Sequence, residues 1–223
     1  MNIDQIIRTR RKTIALVITP DGKLVVRAPL YATDNQIREA VDRHREWIRA
    51  KQHETSQYRT QYPSKTYQEG EQFWYLGQLY PLKISLTART PLKLSDGFIL
   101  SQKVLTKAET VFTTWYRTQA QQVIVPRVLH LAAPLGYYPE RIRISSARTR
   151  WGSCSARGTL SFAWRLVMAP LPVIDYVIVH ELVHLVHHNH SRVFWDQVRQ
   201  ITPDYKQHIA WLKSYGSQLT LPG

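Results

Sequence analysis

The chain has 223 residues, 43% of them hydrophobic, with a formal net charge of +14 and a pI of about 10.1. That apolar share excludes wholesale disorder, and the length allows one large domain or two small ones. No run reaches the roughly 20 apolar residues that cross a bilayer, so no membrane partner is expected, and the positive balance points to a polyanionic partner or substrate.

The first hundred residues read mainly as strands and turns. Residues 13–18 and 24–27 flank Pro20-Asp21-Gly22, which predicts a β-hairpin. Asp34 is expected to cap a helix with apolar positions Ile37, Val41, Trp47 and Ile48. A polar stretch follows from Gln52 to Gln72. Residues 73–80 predict a second hairpin, and residues 92–94 and 98–100 a third around Asp96-Gly97. Near Lys103 the period becomes helical, with Ala108, Val111, Phe112, Trp115 and Tyr116 on one face. Pro126 is expected to kink or break this helix, which resumes through Val128, Leu129 and Leu131 and ends near Gly136. Residues 142–151 then predict a strand, Ala156-Arg157-Gly158 a turn, and residues 160–166 the returning strand. A last helix is expected through Tyr205, Ile209, Trp211 and Leu212. These elements give an α+β chain: a β-rich region with one helix over 1–105, suited to selecting substrate, and a second domain over 106–223.

The most informative residues are His180-Glu181-Leu182-Val183-His184. Histidines four apart on a helix share a face and can grip one metal ion, while the adjacent glutamate can take a proton from a water there. Pro172 suits a first helical turn and Asp175 the positive end of the helix dipole. A catalytic zinc takes three protein ligands and leaves a fourth place for water. His187 lies on the same helix face, but ligands at i, i+4 and i+7 spread over roughly 10 Å of helix axis. The chain must turn first. Asn189 fits the end of the helix and Ser191 the cap of the next one, so His190 in that turn is expected as third ligand. His187 and His188 are left behind the ligands or facing solvent.

Residues 141–174 contain no Asp or Glu but hold Arg141, Arg143, Arg148, Arg150, Arg157 and Arg165. Arginine is suited to bidentate recognition of phosphate or carboxylate. The patch over 141–165 is therefore a candidate surface for DNA, RNA or a nucleotide. Lone Cys154 allows no internal disulfide and reads as a small buried hydrophobe. With no secretory pattern at Met1 to Arg8, a cytoplasmic protein is expected. The sequence specifies no oligomeric state.

Arg150-Trp151-Gly152-Ser153-Cys154-Ser155, the segment from Leu166 to Pro170, Ile174-Asp175-Tyr176-Val177, the His180–His184 motif and Asn189-His190-Ser191 closely resemble the YgjP-like metallopeptidase family. That family belongs among the zincins, near the SprT and WLM groups. Arg11-Lys12, Asp21-Gly22, Ala28-Pro29, Trp47-Ile48 and Leu76-Gly77 extend the likeness over nearly the whole chain. The resemblance implies a C-terminal zincin-like domain with a long backing helix, a β-hairpin and a metal helix. It also implies one Zn2+ on His180, His184 and His190, with Glu181 catalytic.

The expected activity is zinc-dependent hydrolysis of peptide bonds, with Glu181 as general base and a protein or peptide as substrate. Arg150, then Arg148 or His187, are candidates to stabilise the transition state, and the strand at Trp151 can present backbone groups to substrate. Two alternatives stand beside this: a metal-dependent nucleotide phosphohydrolase, and a nucleic-acid-associated protein with conditional protease activity.

Overall fold

The computed structural model describes residues 2–19, 21–61 and 65–221. The chain divides into two compact units, residues 1–64 and 65–223.

In the first unit, β2 (Ala15–Ile18) and β3 (Leu24–Pro29) form the expected antiparallel hairpin, and β1 (Gln5–Thr9) pairs with β3 in parallel, giving the order β1-β3-β2. The periodicity missed β1 because Ile6-Ile7 are its only apolar residues. Helix α1 (Asp34–Arg43) is capped by Thr33 rather than Asp34. The Thr33 hydroxyl accepts from Gln36 N, and the Gln36 side chain accepts from Thr33 N, a reciprocal capping box. The helix ends at His44 and α2 (Arg45–Gln61) begins at once, so the expected single helix is two. Ile37, Val41 and Ile48 pack with Leu24, Val26 and Ala28, whereas Trp47 is 43% exposed. The polar stretch from Gln52 is helical as far as Gln61; it lacks the apolar stripe that would have revealed it.

In the second unit, β4 (Gln72–Tyr75) and β5 (Gln78–Ser85) form one predicted hairpin, and β6 (Leu92–Leu94) and β7 (Phe98–Ser101) the other. Parallel pairing of β5 with β7 joins them in the order β4-β5-β7-β6. Helix α3 (Ala108–Ala132) follows. Its buried residues recur every fourth position: Ala108, Phe112, Tyr116, Ala120, Ile124, Val128 and Ala132. Pro126 does not break it. This proline lies on the exposed side, where water can take the carbonyl that loses its partner. Phe73, Leu82, Phe98 and Leu100 share one core with α3 and with residues from Leu160 to Leu221. The sequence drew its division at 105/106; the contacts part the chain at 64/65.

The remaining strands are β8 (Arg141–Ser145), β9 (Gly152–Cys154) and β10 (Thr159–Ala163). Strand β10 is central, parallel to β8 and antiparallel to β9. The strand expected over 142–151 stops at Ser145, and residues 146–151 loop across to β9. The returning strand stops at Ala163, after which Trp164–Met168 form a buried 3-10 helix. Helices α4 (Leu171–Val183), α5 (Arg192–Ile201) and α6 (Tyr205–Tyr215) complete the chain. Helices and small sheets thus mix in the α+β class expected from the sequence. No helix among the described residues is long and apolar enough to cross a membrane.

Candidate metal centre

Helix α4 is apolar nearly all round, and Val173, Ile174, Val177, Ile178, Leu182 and Val183 are buried. Its start is fixed by two contacts. Asp175 in its second turn takes a bidentate pair from Arg127 of α3, with Nε donating to Oδ1 at 2.6 Å. The β4–β5 turn supplies the other: Leu76 N donates to Val167 O and Gly77 N to Met168 O, both at 3.0 Å. Leu76 has φ of 48° and Gly77 of 81°, the paired left-handed geometry of a two-residue hairpin turn.

The helix ends where the histidine geometry requires. Val183 is its last residue and His184 its cap. Ser191 caps α5 by accepting from Phe194 N. The loop between them returns His190 to the helix, with its Nε2 3.0 Å from His180 Nε2 and 3.2 Å from His184 Nε2. His180, His184 and His190 each offer one nitrogen to a cluster within 4.8 Å. Phe194 lies against all three rings at 4.9, 4.5 and 4.8 Å, and Trp195 stacks on His190 at 5.7 Å.

His184 Nδ1 lies 2.9 Å from the His187 carbonyl, which makes Nδ1 the protonated nitrogen and leaves the Nε2 lone pair facing the cluster. His187 therefore contributes its carbonyl, and its imidazole is outside the cluster; His188 is exposed. His180 Nδ1 is buried without a hydrogen-bond partner. Burial lowers the His180 pKa to about 4, with His184 and His190 adding repulsion. Burial also lowers that of His184. Both rings are thus held neutral at pH 7, the form that binds a metal.

Glu181 is 5% exposed, and burial pushes its carboxyl up to about 7 against the opposing charge of Arg150. The backbone of Gly152 in β9 packs directly on its side chain. Burial and the Glu181 charge raise the Cys154 pKa, so Cys154 lies on the Glu181 side of β9, outside the histidine cluster.

Arg148 and Arg150 are exposed on the loop before β9. Arg165, by contrast, is 8% exposed, stacks on Trp164 at 4.3 Å and donates to Ala147 O at 3.3 Å. It is a core residue and not part of a basic surface. Trp151 is half-buried against the C-terminal segment, where a Cβ on Gly216 would lie 2.9 Å from its Cζ2. Gly152, the Leu76-Gly77 turn, Phe194 and Trp195 also shape the site, although no motif in the sequence marks them as part of it. A glycine inside a strand, the mark of close backbone approach, was the available signal for Gly152.

A solved structure similar to the chain is the metallopeptidase zymogen of Pyrococcus abyssi abylysin, at 22% identity, covering 41% of this chain and 94% of that one, with a TM-score of 0.38. No curated protein matches the chain. The family model described as YgjP-like, metallopeptidase domain, matches residues 12–215. That span covers most of both compact units and every residue of the histidine cluster. The chain therefore belongs to the YgjP-like family and is a metal-dependent peptidase.

Proposed function

We propose that His180, His184 and His190 hold one zinc ion and that Glu181 is the general base for hydrolysis of peptide bonds in a protein or peptide substrate. The convergence of three imidazole nitrogens carries this reading. Two ligands of a tetrahedral zinc, each bonded at about 2.0–2.1 Å, stand about 3.3 Å apart. The separations of 3.0 and 3.2 Å between the Nε2 atoms fit that edge. A three-imidazole set without thiolate matches catalytic zinc, with a fourth position left for water or substrate. When bound, zinc polarises a carbonyl and acidifies water.

The chain's own residues supply the rest. Glu181, with its carboxyl near 7, is poised at neutral pH to accept a proton from the attacking water and return it to the leaving amine. Its burial beneath β9 keeps bulk water from competing for that proton. Arg150 is the cation whose charge reaches Glu181, which ranks it ahead of Arg148 for stabilising the developing oxyanion. His187 acts through its carbonyl on His184. Trp151, engaged with the C-terminal segment, supports β9 rather than substrate.

The test is bound metal per chain in the wild type, His190→Ala and Glu181→Gln, with peptide cleavage assayed in parallel. The expected result is one zinc per chain in the wild type and Glu181→Gln, most of it lost in His190→Ala, and cleavage by the wild type alone. Full occupancy in His190→Ala would remove His190 from the ligand set. Undiminished cleavage by Glu181→Gln would remove the general base.

A further inference from the structure

The β8–β10–β9 sheet has two chemically opposite faces. Pairing places Ile142, Leu160 and Cys154 in one row and Ile144, Phe162 and Gly152 in another. These rows face inward: Leu160 and Phe162 are fully buried, and Gly152 meets Glu181 of α4. The alternate rows are Arg143, Ser161 and Ser153, and beside them Arg141 and Thr159. Strand alternation turns these to the other side. Arg141 and Arg143 are exposed, and Ser153, Thr159 and Ser161 half-buried. Arg157, in the turn between β9 and β10, is exposed as well.

No residue from 141 to 174 is acidic. Arg141, Arg143 and Arg157 form no ion pair among the described residues, whereas Arg127 and Arg192 each hold a carboxylate. Arg141 and Arg143, with Arg157 in the adjoining turn, therefore flank a row of hydroxyls on a face where the remaining row, Ser145 and Ala163, adds one more hydroxyl and one small buried methyl. Such a face suits oxygen-rich anions, since arginine and serine or threonine hydroxyls are the usual donors to phosphate oxygens. Its paired rows carry no ring on which a base could stack, because Phe162 faces inward, Trp151 is engaged with the C-terminal segment and Trp164 is buried. Single strands are held by such rings. A polymer with regularly spaced external phosphates is not.

We propose that this outer face of the β8–β10–β9 sheet binds the phosphodiester backbone of duplex nucleic acid without reading its sequence. The face lies on the side of the sheet away from Glu181, so a bound duplex leaves the catalytic carboxylate accessible. This binding does not depend on the metal or on the role of Glu181.

Anisotropy of labelled DNA duplexes of two unrelated sequences tests it, with the full chain titrated over a range of salt. The double variant Arg141→Ala plus Arg143→Ala is compared with Arg38→Ala plus Arg49→Ala, which removes the same charge from exposed helical positions of the first unit. The expected result is equal affinity for both sequences. The strand variant should lose at least about tenfold in affinity near physiological salt, and its log-log salt slope should shrink by about 2. The helix variant should retain the wild-type slope.

Absence of duplex binding in low salt would overturn the proposal. So would equal losses in the two variants, which would reduce the effect to net charge. Displacement of the duplex by polyglutamate at equal charge concentration would reassign the face to acidic proteins. Should the double variant fail to fold, Arg143→Gln alone must lower the slope by about 1; an unchanged slope there overturns the proposal equally.

Discussion

Gly152 lies so close to Glu181 that a Cβ at position 152 would stand 2.5 Å from Oε1, 2.6 Å from Cγ and 2.8 Å from Cδ of the glutamate. Any side chain there must displace the carboxylate or lift β9 from α4. Gly152→Ala is therefore expected to lower kcat by on the order of a hundredfold, the cost of misplacing a reacting group by about 1 Å. Metal content should be unchanged, because the three histidines lie outside the clash. Steady-state kinetics with metal analysis on the same preparation check this. A wild-type kcat would show that Glu181 can relax, or that it is not the base.

The histidine site was legible because its rules are local. Helical spacing set His180 and His184 on one face, and the impossibility of seating a third ligand at i+7 forced the chain to turn and bring in His190. Hairpins at Gly77 and Gly97 were legible for the same reason, since turn chemistry is written in adjacent residues. What pressed on the site was not. Gly152 meets Glu181 from 29 positions away in the sequence, and the β4–β5 turn reaches the start of α4 from further still. Long-range packing leaves no periodicity. Pro126 and Arg165 erred in the other direction: each was assigned by residue type, while its exposure decided its role. Pro126 faces water and leaves α3 unbroken, and Arg165 is buried against Trp164.

Gly77 makes the second close approach. Its φ is 81°, and an added Cβ would lie 2.7 Å from Pro170 Cγ and 2.9 Å from Pro170 Cα. Gly77→Ala combines a strained left-handed backbone with overpacking against the residue that precedes α4. A loss of about 2–4 kcal/mol is expected from the two terms together. Urea unfolding of the metal-free chain measures it. A loss under about 1 kcal/mol would show that the turn moves away from Pro170 without consequence.

Trp195 is the aromatic floor of His190. His190 is exposed, and the loop carrying it is held by the Ser191 cap, by Phe194 and by the Trp195 stack at 5.7 Å and 26°. Trp195 in turn stacks on Tyr205 at 5.4 Å, which anchors it to α6. Trp195→Ala is expected to weaken zinc binding by roughly tenfold, the lower end of what supporting residues contribute to metal affinity, and Trp195→Phe to recover most of it. Competition with a chromophoric chelator reads the affinity directly. Equal affinity in all three proteins would assign the whole orientation of His190 to the loop.

His180 and Glu181 are neighbours whose burial acts on stability with opposite signs. His180 falls from 6.5 to about 4, so between these values the unfolded chain binds the extra proton and stability rises with pH. Glu181 rises from 4.5 to about 7, so between these values the folded chain binds the extra proton and stability falls with pH. Each contribution amounts to about 3 kcal/mol over its window. In the metal-free wild type the two nearly cancel between about pH 4.5 and 6.5. Glu181→Gln removes one and exposes the other. Relative to the wild type, this variant should gain nothing near pH 4.5 and about 3 kcal/mol by pH 7, a slope of about 1.4 kcal/mol per pH unit. Urea unfolding of both metal-free proteins at several pH values gives the difference. A flat difference would mean that Glu181 ionises at its ordinary value in the folded chain, and burial beneath β9 would then not be what readies it for proton transfer at neutral pH.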